Sequence, residues 1–313
     1  MNKCLYCYEL LEDSERDFHQ KCSRQFFGVN EAPVLDFGKE ELKNIAQQII
    51  IKSVAITGVQ AKLSLALEKI DKQHNRLTIV GLWGDFILKP PTEMYSQLPE
   101  NEDLTMKLAT LCGIKTAQHS LIRLASGELA YLTKRFDRVN GTKIHVEDFC
   151  QLTETLTEHK YRSSMEKVGK TIRFFSTNTG LDSLSFFEEI LFCYLTGNAD
   201  MHLKNFSLIK NKVGEIQFSP AYDLVSTKLA MPKDSEEMAL TINGKKNKLK
   251  KTDFDELAES LGISQKARES VYSRFNAQLK NIKALINKSF LVVEYQQIYQ
   301  DLVSERVKIL GYH

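Results

Sequence analysis

The sequence predicts an α+β fold, with a small lobe built on an antiparallel sheet followed by a mainly helical lobe. Three observations predict it. Apolar runs with strand-like alternation crowd into residues 61–135, broken by one helical stretch. Beyond Val139-Asn140-Gly141 the apolar spacing becomes helical almost throughout. Ahead of both, three of the six cysteines of the 313-residue chain fall at positions 4, 7 and 22. The expected divisions are 1–29 for a zinc knuckle with its linker, 30–138 for the sheet lobe and 139–313 for the helical lobe.

The first element is the knuckle. Cys4-x-x-Cys7, an eleven-residue spacer and His19-x-x-Cys22 form a Cys3His set with zinc-ligand spacing. Each pair can bite one ion from a tight turn. Three unrelated reduced thiols, or a redox CxxC pair, are the plainer alternatives; the nearby histidine and third cysteine favour Zn2+. So short a segment cannot build its own core, so metal would supply its fold. Four protein ligands leave no open position, which makes the role structural. Phe26 to Phe37, containing Gly28 and Pro33, reads as a linker, and 40–51 as a helix.

In the sheet lobe, 61–69, 76–81, 84–89, 118–124 and 129–135 read as strands, with a helix near 100–113. Ser53 to Lys62 is a small-residue loop before a strand, a shape that can present backbone N–H groups to phosphates. Its single glycine matches no established phosphate-loop pattern, and taken alone the segment reads better as an ordinary turn. Trp83 to Lys89 is an apolar strand that delivers one lysine and is closed by Pro90-Pro91. A lysine there must snorkel to solvent or meet an anion, and ATP phosphates are a natural partner. Glu100, Glu102 and Asp103 suit a helix's first turn through its dipole alone; Glu102 is also the candidate for orienting Lys89.

In the helical lobe, 146–154, 160–174, 183–196, 252–261, 264–286 and 292–308 read as helices. The only strands expected there, 206–210 and 215–218, follow the stretch Asn198-Ala199-Asp200-Met201-His202-Leu203-Lys204-Asn205. Pro220-Ala221-Tyr222-Asp223-Leu224-Val225 comes next. An Asp, an Asn five positions on and a second Asp beyond a short hairpin form the arrangement that ATP-dependent phosphoryl transfer needs. The first carboxylate stands beside the attacking hydroxyl, and the Asn and second Asp give oxygens to Mg2+ on the phosphates. Asp200 alone could be a turn or helix cap; the upstream lysine, the acid-bearing helix and the later Asp223 together favour a kinase. His202 reads as a core histidine that fixes the loop, Lys204 as a phosphate contact or a solvent-facing residue, and Tyr222 as packing.

With these pieces in order, the chain resembles the HipA-family serine/threonine kinases, toxin components of bacterial toxin–antitoxin systems. The matching motifs are Thr57-Gly58-Val59-Gln60-Ala61-Lys62, Phe86 to Pro90, Lys134 to Arg138, His145 to Leu152, Asp200 to Ser207 and Pro220 to Val225. The resemblance covers roughly residues 50–260. It implies a two-lobed protein-kinase-like fold with ATP in the cleft. Thr57, Gly58, Val59, Gln60, Lys62 and Lys89 would lie on the phosphates, Asp200 would be the base, and Asn205 and Asp223 would hold Mg2+. Leu132 to Phe136 would be the hinge, with the backbone of Lys134 and Phe136 meeting adenine. The implied substrate is a protein such as an aminoacyl-tRNA synthetase, whose phosphorylation stops translation. The implied partners are antitoxin proteins, with DNA reached only through them.

Three departures qualify the resemblance. The length leaves little room for the extra N-terminal subdomain of full-length relatives, which makes the chain similar to the short toxins of three-gene HipBST-type systems. Relatives autophosphorylate at a serine in the phosphate loop; Ala55 falls there, leaving Ser53 and Thr57 as candidates. Asp-Leu-Val replaces Asp-Phe-Gly, so the switch-like activation loop of ordinary protein kinases is not assumed.

Composition narrows the remaining possibilities. With 42% hydrophobic and 26% charged residues and a net charge of +2, the chain reads as an ordinary globular protein. Nothing in it announces a nucleic-acid binder. Its apolar runs fall short of a membrane span and its start lacks a signal-peptide core, so the expected compartment is the cytoplasm. Cys112, Cys150 and Cys193 read as buried core thiols. Lys245 to Lys251 is a dense basic run, either a solvated loop or a docking patch for an acidic partner or RNA. The polar run Arg135, Asp137 and Arg138 reads as a structural ion pair or a substrate contact. Two further function classes stay open: a catalytically weak kinase-fold binding module acting with an antitoxin, and a small-molecule or lipid kinase.

Overall fold

The computed structural model describes residues 2–52, 61–71, 75–81, 83–139 and 141–311. They form two compact units. The first comprises Met1–Asp103, Ala117–Phe136 and Lys288–Phe290, the second Leu104–Thr116, Asp137–Asn287 and Leu291–His313.

The first unit opens with a turn closed by an antiparallel bridge between Lys3 and Leu10, with Tyr8 in the left-handed region at φ 68°. Helix α1 (Gln20–Phe27) follows. It ends because Gly28 adopts φ 82° and returns its N–H to the Arg24 carbonyl, a left-handed cap that glycine takes without strain. After α2 (Lys39–Lys52) come β1 (Leu63–Lys69), β2 (Asn75–Ile79) and β3 (Phe86–Lys89). Helix α3 (Leu98–Leu111), of which the residues up to Asp103 belong to this unit, then β4 (His119–Arg123) and β5 (Leu129–Lys134), complete the set.

The five strands make one antiparallel sheet in the order β2-β1-β3-β5-β4. Strand β3 is therefore central. Leu88 faces Leu63 on one side and Leu132 on the other, and all three are buried. Gly84 admits the chain into β3: a Cβ there would stand 2.4 Å from the Leu65 carbonyl oxygen, so no other residue fits.

The segment from Phe26, expected as a linker, is a linker only beyond Gly28. Phe26 and Phe27 close α1, and both are buried with ring centroids 5.8 and 6.0 Å from Phe86. Two adjacent phenylalanines bury too much apolar surface to be left in a loop once a strand offers a third.

The second unit contains β6 (Arg138–Val139), β7 (Thr142–Lys143), β8 (Val146–Asp148), α4 (Phe149–Leu152), α5 (Met165–Phe175) and α6 (Thr179–Thr196). Then come β9 (Ser207–Lys210), β10 (Ile216–Phe218), α7 (Thr227–Ala230), α8 (Lys251–Ser260), α9 (Gln265–Lys288) and α10 (Val293–Ile309). Helix α6 is its axis, with every residue from Phe186 to Thr196 buried. It stops at Gly197, φ 65°, where a Cβ would press within 2.8 Å of Leu302 and 2.9 Å of Lys228.

Residues 146–154 are not the helix that their spacing predicts. Val146–Asp148 pair with Ser207–Lys210 in an antiparallel sheet ordered β10-β9-β8. Asp148 then caps the single turn α4 in a reciprocal box with Gln151. The small β6–β7 hairpin is a further strand pair outside those expected. No helix among the described residues is long and apolar enough to cross a membrane.

Candidate active site

In the first unit, Lys89 ends β3 with only 4% of its surface exposed. Its ammonium donates to Glu102 Oε1 at 2.5 Å and lies 5.3 Å from the centre of the Tyr131 ring. Glu102 stands in the second turn of α3 and is 3% exposed. The acids of this helix therefore do different things. Glu102 meets the lysine. Asp103, fully buried, accepts from Tyr8 Oη at 2.6 Å and holds His119 Nδ1 at 2.6 Å. Burial pushes Glu100 up to about 7.

In the second unit, Gly197 turns the chain out of α6 into residues 198–205, which curl onto themselves. Asn198 Oδ1 accepts from the Asp200 N–H at 3.1 Å, and the Asn205 side-chain amide donates to the Asp200 carbonyl at 3.0 Å. The His202 N–H donates to that same carbonyl at 2.8 Å. These bonds bring Asp200 and Asn205 together, five positions apart. The Asn205 amide oxygen is left as the atom able to meet a cation. Asp223 follows β10 and holds φ 57°, a left-handed conformation in which Asp is among the tolerated residues.

The neighbouring residues fix the loop. Tyr161 Oη donates to Asp200 Oδ1 at 2.6 Å, and burial together with that carboxylate pushes the phenol's pKa up. The Tyr161 ring meets His202 edge-on at 5.0 Å. Burial holds His202 down to about 4, so it is neutral at physiological pH. Lys204, expected on phosphate or in solvent, instead pairs with Asp148 at 2.7 Å, joining the loop to the start of α4. Tyr222 bonds Ser207 Oγ at 2.6 Å and donates to the Lys204 carbonyl at 3.0 Å, tying the Asp223 segment to the loop. Its packing role thus includes two hydrogen bonds.

Other expected site residues have mixed placements. Ser53, Thr57, Gly58, Val59 and Gln60 lie outside the described residues, and Lys62 is exposed just ahead of β1. The Lys134 N–H is already given to the Gln118 carbonyl at 2.8 Å, and that of Arg135 to Asp85 at 2.8 Å. An adenine contact by Lys134 would therefore not use that donor. Arg138 pairs with Asp137 at 2.5 Å. The basic run is offset by its own chain: Lys245 meets Asp253 at 2.6 Å, Lys246 meets Glu236 at 3.3 Å and Lys251 meets Asp255 at 3.0 Å.

Cys4, Cys7, His19 and Cys22 come together with their ligand atoms all within 4.8 Å of one another, while Cys112, Cys150 and Cys193 are buried singly. Sequence reasoning missed Tyr161, Asp148, Asp103 and Tyr8. Each acts on a residue distant in the chain, and only the folded backbone makes the pairs.

The comparisons with known proteins bear on the family and the fold. A family model described as HipA-like C-terminal domain matches residues 54–282. The chain is 35% identical over 246 residues to "Putative kinase Y4dM" of Sinorhizobium fredii, covering 71% of this chain and 58% of that protein. It is 28% identical over 194 residues to the serine/threonine-protein kinase toxin HipA of Shewanella oneidensis, covering 55% of this chain and 43% of the toxin. The chain thus spans about half the length of these relatives. Among solved structures, it superposes on the Shewanella oneidensis HipA, HipB and operator DNA complex with a TM-score of 0.69 at 21% identity. That match covers 87% of this chain and 71% of the other. The likeness shows the fold, which is kinase-like.

Proposed function

The chain belongs to the HipA-like C-terminal domain family, and from that premise we propose that it is an ATP- and magnesium-dependent protein serine/threonine kinase. Its proposed role is the toxin of a bacterial toxin–antitoxin system. The observation that supports this most is the Lys89–Glu102 pair, 4% and 3% exposed. A buried charge pair is a poor source of stability, because desolvation offsets most of the attraction. An ammonium held ready for an anion is a reason to keep one.

The proposed reaction divides labour among this chain's residues. Lys89, oriented by Glu102, holds phosphate oxygens of ATP. Asp200 accepts the proton of the target hydroxyl as its oxygen attacks the γ-phosphorus in line, and ADP leaves. Asn205 through its amide oxygen and Asp223 through its carboxylate offer hard oxygen donors, the chemistry that magnesium takes. Magnesium, when bound, offsets the charge on the phosphate oxygens. The acceptor is proposed to be a protein such as an aminoacyl-tRNA synthetase, and the self-modified residue Ser53 or Thr57. The structural neighbour contains HipB and operator DNA; an antitoxin protein is the corresponding proposed partner here, with DNA reached through it.

Intact-mass measurement of the full chain before and after incubation with Mg-ATP, beside Asp200→Asn, tests this reading. Added phosphate on the wild type alone is the expected result. A variant that gains phosphate as fast as wild type would remove Asp200 from its role. A wild type that transfers to neither itself nor a protein acceptor would leave a kinase-fold binding module or a small-molecule or lipid kinase, which hydrolysis or transfer of ATP phosphate to such acceptors separates.

A further inference from the structure

The Cys3His cluster is more than four residues of suitable type. Cys7 Sγ and Cys22 Sγ stand 3.3 and 3.7 Å from His19 Nδ1. Ligand atoms at the corners of a tetrahedron around zinc, with bonds of roughly 2.0–2.3 Å, stand roughly 3.3–3.8 Å apart. The other ring nitrogen, His19 Nε2, lies 2.9 Å from the Leu10 carbonyl oxygen. A carbonyl can only accept, so Nε2 carries the proton and Nδ1 offers its lone pair toward the cysteines. All four residues belong to the first unit, and none of the cysteines is in a disulfide.

The knuckle also contacts chain neighbours of both members of the Lys89–Glu102 pair, Asp103 and Phe86. Tyr8, the residue after Cys7, is buried and donates to Asp103 at 2.6 Å; Asp103 is the neighbour of Glu102. Helix α1, which His19 immediately precedes as its N-cap and which carries Cys22, sets Phe26 and Phe27 against Phe86, the first residue of the strand that Lys89 ends. Arg123 at the end of β4 pairs with Asp17 at 2.9 Å.

We propose that Cys4, Cys7, His19 and Cys22 bind one structural zinc ion, and that the metal-loaded knuckle braces the Lys89–Glu102 pair through Tyr8–Asp103 and Phe26/Phe27–Phe86. On binding, the cysteines give their thiol protons to solvent and coordinate as thiolates. Metal loss then frees the Tyr8 turn and α1, and the lysine's partner loses its support. The consequence for nucleotide binding rests on the kinase reading; the metal site and the brace do not.

The experiment uses the purified full chain. Elemental analysis is expected to give one zinc per chain, and cobalt substitution the visible bands of a tetrahedral sulfur-ligated ion. No bound metal, or iron in its place, overturns the site. Extraction of the metal with a mercurial reagent is expected to raise hydrogen exchange at residues 86–89 and 98–103 at least tenfold; unchanged exchange there overturns the brace. Because Cys22→Ser can fail to fold, Tyr8→Phe serves as the second variant. It is expected to keep one zinc yet exchange faster at 98–103. Mg-ATP affinity is then measured on the same samples: a wild type that holds zinc and shows the brace but binds no nucleotide defeats the kinase reading alone.

Discussion

Tyr161 Oη donates to Asp200 Oδ1 at 2.6 Å, although 39 residues separate the two in the chain. One oxygen of the proposed base is thereby engaged before any substrate arrives, which holds the carboxylate in a single orientation and leaves its other oxygen for a target hydroxyl. A hydrogen bond to a charged group is worth roughly 1.5–3 kcal/mol, enough to decide the rotamer of a half-buried side chain.

Tyr161→Phe keeps the ring against His202 and removes only the hydroxyl. Phosphoryl transfer is expected to fall about tenfold in kcat, the effect of a loosened base, with KM for ATP unchanged. Steady-state kinetics check it. An unchanged kcat would make the tyrosine a packing residue.

Glu102→Ala leaves the Lys89 ammonium buried opposite a void. Breaking such a pair is expected to cost about 3–5 kcal/mol of stability, measured by denaturant unfolding. The double variant Lys89→Met, Glu102→Leu should recover most of that loss, since apolar residues of similar volume pack without desolvation cost. It should not recover ATP binding. A double variant as unstable as Glu102→Ala would show that the pair is needed for packing.

These relationships also mark how far the sequence was legible. The five strands of the first sheet were readable because their apolar residues alternate and Gly84 and Pro90 punctuate them. The spacing of Asp200, Asn205 and Asp223 was readable because a loop's own chain order carries it. Residues 146–154 were not, because Val146, Phe149, Cys150 and Leu152 keep helical spacing and only the partner strand at Ser207–Lys210 makes the first three residues extended. Phe26 and Phe27 looked like linker because their partner, Phe86, lies about sixty residues on.

Asp223 couples a left-handed backbone, φ 57°, to the proposed metal contact, and two substitutions separate these. Asp223→Asn suits the backbone, because Asn also tolerates positive φ, and it weakens only the charge offered to magnesium. Asp223→Ala adds a backbone penalty of about 1–2 kcal/mol. Both variants are expected to lose magnesium-dependent transfer, while thermal melting falls for Ala alone. Equal melting of the two would mean that the backbone relaxes without cost.

Glu189 on α6 is 2% exposed, and its Oε1 has no hydrogen-bond partner among the described residues. It lies near Cys193 and Tyr222, whose pKa values it helps raise. Burial pushes its own pKa up from 4.5 to about 8, so the folded chain holds a proton there that the unfolded chain releases. Stability attributable to this residue is therefore fully present below the unfolded value and is lost as pH rises from 4.5 toward 8, after which the loss is constant. His202, held down to about 4 by burial, works in the opposite sense: the unfolded chain binds the proton first, so stability falls as pH drops from 6.5 toward 4. The two slopes oppose each other between about 4.5 and 6.5. Glu189→Gln removes one of them. Its advantage over wild type in urea unfolding is expected to be near zero at pH 4.5, to grow steadily to on the order of a few kcal/mol at pH 8, and to stay level above that. An advantage that does not change across this window would mean that Glu189 is already ionised in the folded chain, with its charge met by a cation or by water inside the second unit.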